Sequence, residues 1–111
     1  MYFNFCGLSL VIYSILGILG LKIPLNFKQP FSSRNIVDYW RGWHRSLSHV
    51  LKNLFYLPVR KKYSINLAIF IVFLSSALWH GVSVNFILWG AFHALCFIFS
   101  VKLLKKDLKL F

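Results

Sequence analysis

Ala77-Leu78-Trp79-His80-Gly81 closes one apolar run just before a second one opens. Holding an ionisable side chain at the edge of a hydrocarbon-length segment costs roughly a few kcal/mol, which makes such a residue a functional candidate by default. Histidine is also the side chain best suited to proton transfer near neutral pH. Taken alone, the pentapeptide fits a boundary histidine beside an anchoring tryptophan better than a catalytic one. The sequence on either side shifts that balance.

Upstream of His80, Ser64 to Trp79 is rich in Ile, Leu, Phe and Val, and with its flanks it reaches span length over residues 63–82. Ser83-Val84-Asn85 then makes a short turn, and residues 86–104 form a further apolar run. Residues 3–21 carry no charge, although Gly7, Gly17 and Gly20 interrupt them. Small residues weaken a helix in water but let helices approach closely in a bilayer. The chain has 111 residues, 59% of them hydrophobic, above the roughly half of a soluble domain. The expected fold is an all-α membrane protein with about three transmembrane helices of ~20 residues each. The expected layout is a span at 3–21, a loop and an amphipathic surface or re-entrant helix over 22–62, spans at 63–82 and 86–104, and a basic tail at 105–111.

The segment 22–62 opens as a loop, with Pro24 and Pro30 bracketing Asn26, Lys28 and Gln29. Ser33 or Asn35 is placed to cap a helix, with Asp38 near its first turn, where negative charge is favoured. From there Ile36, Trp40, Trp43, Leu47, Val50 and Leu54 recur at steps of three and four. Arg34, Asp38, Arg41, Arg45, Ser48 and Lys52 recur in the same way on the opposite side. The pattern predicts one amphipathic helix of about 18 residues lying at the membrane surface. Pro58 is expected to end it, followed by the basic stop Arg60-Lys61-Lys62.

Net charge is +11, from 13 Lys and Arg against two acids. The basic residues flank apolar runs, which fits anionic lipid headgroups rather than nucleic acid. Asp38 and Asp107 lie too far apart in sequence to suggest a paired-carboxylate mechanism, and they make no cluster for a hard metal ion. Cys6 and Cys96 match no zinc or redox spacing and read as small packing residues. Basic residues crowd the 22–62 segment and the tail and are absent from the turn at 83–85. The positive-inside rule then puts the amino terminus and that turn outside, with the long segment and the tail inside. His80 falls near the outer end of its span.

Of the other histidines, His49 falls among basic neighbours on the polar side and is given no role. On spacing, His44 reads as a boundary residue of the apolar stripe. His93 lies mid-span, either hydrogen-bonded to a neighbouring helix or lining a polar path. In a simple hairpin His80 and His93 differ in depth by ~9 Å, too far for ligands of one metal ion, so no metal and no cofactor is expected. A neutral imidazole at His80 can instead take a proton from a hydroxyl as it attacks an activated acyl group. Nucleophile-elbow and phosphate-loop patterns are absent.

Four stretches then occur in order: Asn26-Phe27-x-x-Pro30-Phe31, Asp38-Tyr39-Trp40-Arg41-Gly42-Trp43-His44-Arg45-Ser46-Leu47-Ser48, Leu78-Trp79-His80-Gly81, and Asn85-Phe86-Ile87-Leu88-Trp89-Gly90-Ala91-Phe92-His93-Ala94-Leu95. Together they resemble the membrane-bound O-acyltransferase family, and within it the bacterial branch of alginate O-acetyltransferases and teichoic acid D-alanyl transfer proteins. The resemblance implies acyl transfer from a carrier-protein or other thioester to a hydroxyl of an extracytoplasmic polysaccharide or cell-wall polymer, by a multi-pass protein of the bacterial cytoplasmic membrane. It implies His80 as the general base, His44 as a second catalytic or supporting histidine, and Trp43, Trp79, Trp89 and His93 as tunnel or support residues. It reverses the boundary reading of His80.

Three departures accompany the resemblance. Family members have roughly ten spans, the segment after Pro58 is short and basic without the usual Gly-Gly, and Gly42 stands where the family often has Arg. The first implies a C-terminal-half fragment of a larger reading frame, one half of a split enzyme whose missing helices come from another chain, or a degenerate, non-catalytic remnant. A cationic membrane-surface peptide driven by the helix from Ile36 to Leu54 is a third reading, but it leaves Trp79-His80-Gly81 without a purpose.

Overall fold

The computed structural model describes residues 2–104, so the basic tail expected at 105–111 lies outside the described residues. Every regular element among them is helical. The centre is an antiparallel hairpin of α5 (Ile65–His80) and α6 (Val84–Leu104). Ser64 caps α5, its Oγ accepting the Leu67 N–H at 3.2 Å, and Ser83 Oγ likewise accepts the Phe86 N–H at 3.3 Å at the start of α6. Between them Gly81 ends α5 at φ 155°, a backbone geometry that suits glycine, and a Cβ there would meet the Phe86 ring at 3.1 Å.

Small residues let the two helices close on each other. Ala68, Ala77 and Ala94 are fully buried, and Gly90 packs directly against Ala77 and the Phe73 backbone. Around them Ile69, Val72, Phe73 and Phe97 make the core. Val37, Leu51 and Tyr56 from the preceding segment complete it, so that segment is docked on the hairpin.

Helix α1 (Tyr2–Ile18) leaves most of its apolar side chains exposed, from Phe3 at 83% to Ile18 at 85%. Of the three expected spans, only α6, at 21 residues, is long and apolar enough to cross a membrane, being ~31 Å long. At 17 and 16 residues, α1 and α5 reach only ~24–26 Å. They are cut short at Gly20 and at the Ser64 and Gly81 boundaries.

The single amphipathic helix expected from Ile36 to Leu54 is instead broken into pieces. Helix α2 (Ile36–Gly42) is capped by Asn35, whose Oδ1 accepts the Asp38 N–H at 2.9 Å while Asp38 pairs with Arg41 at 3.6 Å. It stops at Trp43, which is extended, and His44, which is left-handed at φ 41°; α3 (Arg45–Leu51) follows. The break has a tertiary cause. The 25–30 loop takes over the backbone groups at this point, with Lys28 N–H donating to Gly42 O and Arg45 N–H to Asn26 O, both at 2.8 Å. Gly42 is required by that approach, because a Cβ would lie 2.6 Å from Lys28 O.

Pro58 does not end the helix either. A π-helical turn, Lys52–Tyr56, passes the Leu57 N–H to Lys52 O, and Pro58 then sits in the first turn of α4 (Leu57–Lys62), where its missing N–H costs nothing. The wide turn also rotates the buried face. Tyr56 is 2% exposed, while Leu54, expected on the apolar stripe, is 63% exposed.

Candidate active site

Where α2, the α2–α3 break and the top of the hairpin meet, the aromatic residues form one continuous cluster. Trp40 stands at its centre, edge-on to Tyr39, Phe73, Trp89 and His93 at centroid separations of 5.3, 5.2, 5.8 and 5.5 Å. Tyr39 stacks on Trp43 at 5.6 Å. Trp89 contacts His93 at 4.4 Å and His80 at 6.3 Å. His93 is held in place by its Nδ1, 2.8 Å from Trp89 O one turn earlier.

A cavity of about 850 Å³ opens beside this cluster, a size suited to a small-molecule group. Its wall is largely aromatic (Tyr39, Trp40, Trp43, Trp89), and His80, His93, Arg34 and Asn85 line it too. A second void of about 40 Å³, roomy enough for a single water, is bordered by both His44 and His80, with Ser48 and Ser76 as further polar walls. Among the described residues no group of three or more His, Cys, Asp or Glu is placed to hold a metal ion.

His44 owes its position to the break. A non-glycine residue in the left-handed region costs about 1–2 kcal/mol and persists only where its surroundings over-determine it. Here the surroundings are the Asn26 loop and the rings of Phe27 and Phe5, 5.7 and 6.3 Å from the His44 ring. Burial pushes the His44 pKa below its ordinary 6.5; a hydrogen bond to its own backbone pulls it up, and charge on His80 pushes it down again. The folded protein therefore keeps His44 neutral at neutral pH. Acidification below pH 6.5 should destabilise the fold, because the unfolded chain takes up this proton first and the folded chain only at lower pH. Thermal unfolding in detergent at about pH 7.5 and 5.5 should show that loss, and His44→Asn should shrink it.

The structure gathers most of the residues singled out from sequence. His80, Trp43 and Trp89 border both cavities, His93 the larger and His44 the smaller. Trp79 is 72% exposed and lines neither cavity. His49, given no role, is exposed and lies 3.1 Å from the Asn53 side-chain amide. The larger cavity is also lined by Trp40, which in the sequence is one more residue of an apolar stripe, and by Tyr39, Arg34 and Asn85. The closeness of Tyr39, Trp40, Trp43 and His44 in sequence was the available signal for the first two.

Among the described residues, then, a helical hairpin with one membrane-length helix ends beside an aromatic cavity that His80 and His93 border. The family model of the membrane-bound O-acyltransferases matches residues 1–104, and the chain belongs to that family. It is 35% identical over 99 residues to a peptidoglycan O-acetyltransferase of Helicobacter pylori, covering 86% of this chain and 19% of that protein. It is 32% identical over 120 residues to a teichoic acid D-alanyltransferase of Bacillus subtilis, covering 96% and 30%. A probable alginate O-acetylase AlgI of Pseudomonas syringae pv. tomato shares 35% over 99 residues, covering 86% and 19%. The chain thus spans less than a third of the length of these relatives, all of which are named as acyl-transferring enzymes.

Proposed function

We propose that the protein carries the acyl-transfer centre of a multi-pass membrane-bound O-acyltransferase in the bacterial cell membrane. It moves an acetyl or D-alanyl group from a thioester donor, such as a carrier protein, to a hydroxyl of an extracytoplasmic polysaccharide or cell-wall polymer. Further membrane helices pack on the exposed faces of α1, α5 and α6, and lipid covers the rest. The observation that carries the reading is the placement of His80. It stands at the open end of α5, on the wall of an aromatic cavity large enough for an acyl group, and across a water-sized void from His44.

The chemistry follows from that placement. The His80 imidazole accepts the proton of the acceptor hydroxyl as its oxygen attacks the thioester carbonyl carbon. The tetrahedral intermediate collapses, the carbon–sulfur bond breaks, and the leaving thiolate takes the proton from the imidazolium. The Trp43 and Trp89 rings pack on the acyl group and exclude water, His44 supports the site from the smaller void, and His93 steadies Trp89. Trp79, on the outer surface, serves as a contact for lipid or a neighbouring helix.

Proteoliposomes holding the protein, given a radiolabelled acetyl or D-alanyl carrier thioester and a hydroxyl-bearing polymer, should label the polymer with an alkali-labile ester. Folded protein that leaves every such polymer unlabelled would favour the non-catalytic reading of the fold.

A further inference from the structure

We propose that Asn26 and Ser46 form a polar relay that fixes which ring nitrogen of His44 carries its proton, leaving Nε2 as the basic atom. The inference rests on His44 belonging to the acyl-transfer site, but its main readout does not need acyl transfer to occur.

The relay is built from bonds that bridge twenty positions of sequence. Asn26 Oδ1 accepts both the Ser46 backbone N–H at 2.9 Å and the Ser46 hydroxyl at 3.0 Å. The backbone N–H can only donate, so the amide of Asn26 must present its oxygen here and not its nitrogen. A serine hydroxyl has one hydrogen, and Asn26 takes it. Ser46 Oγ is thereby left with lone pairs only, and these face His44 Nδ1 at 3.5 Å. A lone pair facing a lone pair repels, so Nδ1 is the protonated nitrogen and donates to Ser46 Oγ. The remaining lone pair of the neutral ring sits on Nε2.

The same loop anchors the backbone on which this ring is mounted. Asn26 O accepts the Arg45 N–H at 2.8 Å, and Arg45 Nη1 donates to Leu25 O at 3.3 Å. Backbone and side chain of Asn26 therefore act together, one holding the turn after His44 and the other setting its tautomer. Orientation of a base by a third group is a general requirement of proton-transfer sites. Asn26 and Ser46 are positioning residues in that sense, and neither lines the two cavities.

The test is nitrogen NMR of the full chain, labelled with 15N-histidine and held in lipid nanodiscs at about pH 7.5, where His44 is neutral. His44→Asn identifies the resonances. The wild-type protein should show His44 protonated at Nδ1. Ser46→Ala and Asn26→Leu should both move the proton toward Nε2 and lower acyl transfer about tenfold. Ser46→Thr, which keeps the hydroxyl, should restore both. A wild-type His44 protonated at Nε2, or a tautomer unchanged in Ser46→Ala, would overturn the relay. Correct tautomer shifts in a protein that transfers no acyl group would instead uphold the relay and count against the proposed function.

Discussion

His80→Ala should lower acyl transfer by about 10²–10⁴-fold while leaving the amount and stability of the protein in the membrane unchanged. The size of the effect follows from the role, since a positioned general base contributes that much to a step in which a hydroxyl must lose its proton. The lack of a structural cost follows from the position. His80 is the last residue of α5, exposed on the cavity side, and its ring only approaches Phe86 and Trp89, each at 6.3 Å between centroids. Substitutions at such sites usually change stability by less than about 0.5 kcal/mol. His80→Gln should behave like His80→Ala, because it restores size and hydrogen bonding but cannot take up a proton at neutral pH. The measurement is kcat/KM for polymer acylation beside a melting curve in the same detergent. Transfer surviving in a normally folded His80→Ala protein would remove the base from the mechanism.

Sequence and structure agree where local pattern decides the outcome and part where tertiary contact does. The two apolar runs were legible as a helical hairpin, because their composition favours helices and a three-residue turn leaves no other topology, although that turn falls at Gly81-Val82-Ser83 and not at Ser83-Val84-Asn85, where α6 has already begun. Asn35 and Asp38 were legible as a helix start because capping is a local matter. The break at His44 was not. Residues Ile36 to Leu54 keep helical periodicity straight through it, and the chain stops there only because Asn26 and Lys28, about 14 to 19 positions earlier, capture the backbone at Gly42 and Arg45. The π-helical turn was hidden for a related reason. Proline reads as a stop, and nothing local shows that a wide turn can carry the helix past it. The site was divided in the same way. His80, Trp89 and His93 sit on the hairpin and were found from its pattern with the family motifs, whereas the central place of Trp40 depends on how α2 docks across that hairpin.

Gly90→Val should cost about 1–3 kcal/mol of stability and most of the activity, although Gly90 touches no reacting group. A Cβ at Gly90 would lie 2.8 Å from Ala77 Cβ and 3.0 Å from Phe73 O. Both neighbours belong to α5, one of them is backbone, and neither is a flexible side-chain end that can move aside. The strain has to be relieved by separating the two helices, in a protein whose core is the seam between them. The active-site consequence comes from sequence proximity. Gly90 lies next to Trp89 and one turn from His93, and Ala77 lies just under one turn before His80. Prising the seam open at this level therefore draws His80 away from Trp89 and widens the wall of the cavity. Ala77→Gly in the same chain removes the closer of the two contacts but not the Phe73 carbonyl, so it should recover stability and activity in part and together. Denaturation in detergent and acyl transfer, followed side by side through Gly90→Val and the Ala77→Gly/Gly90→Val pair, check the coupling. A Gly90→Val protein as stable as the parent would show that α5 and α6 do not meet at this seam.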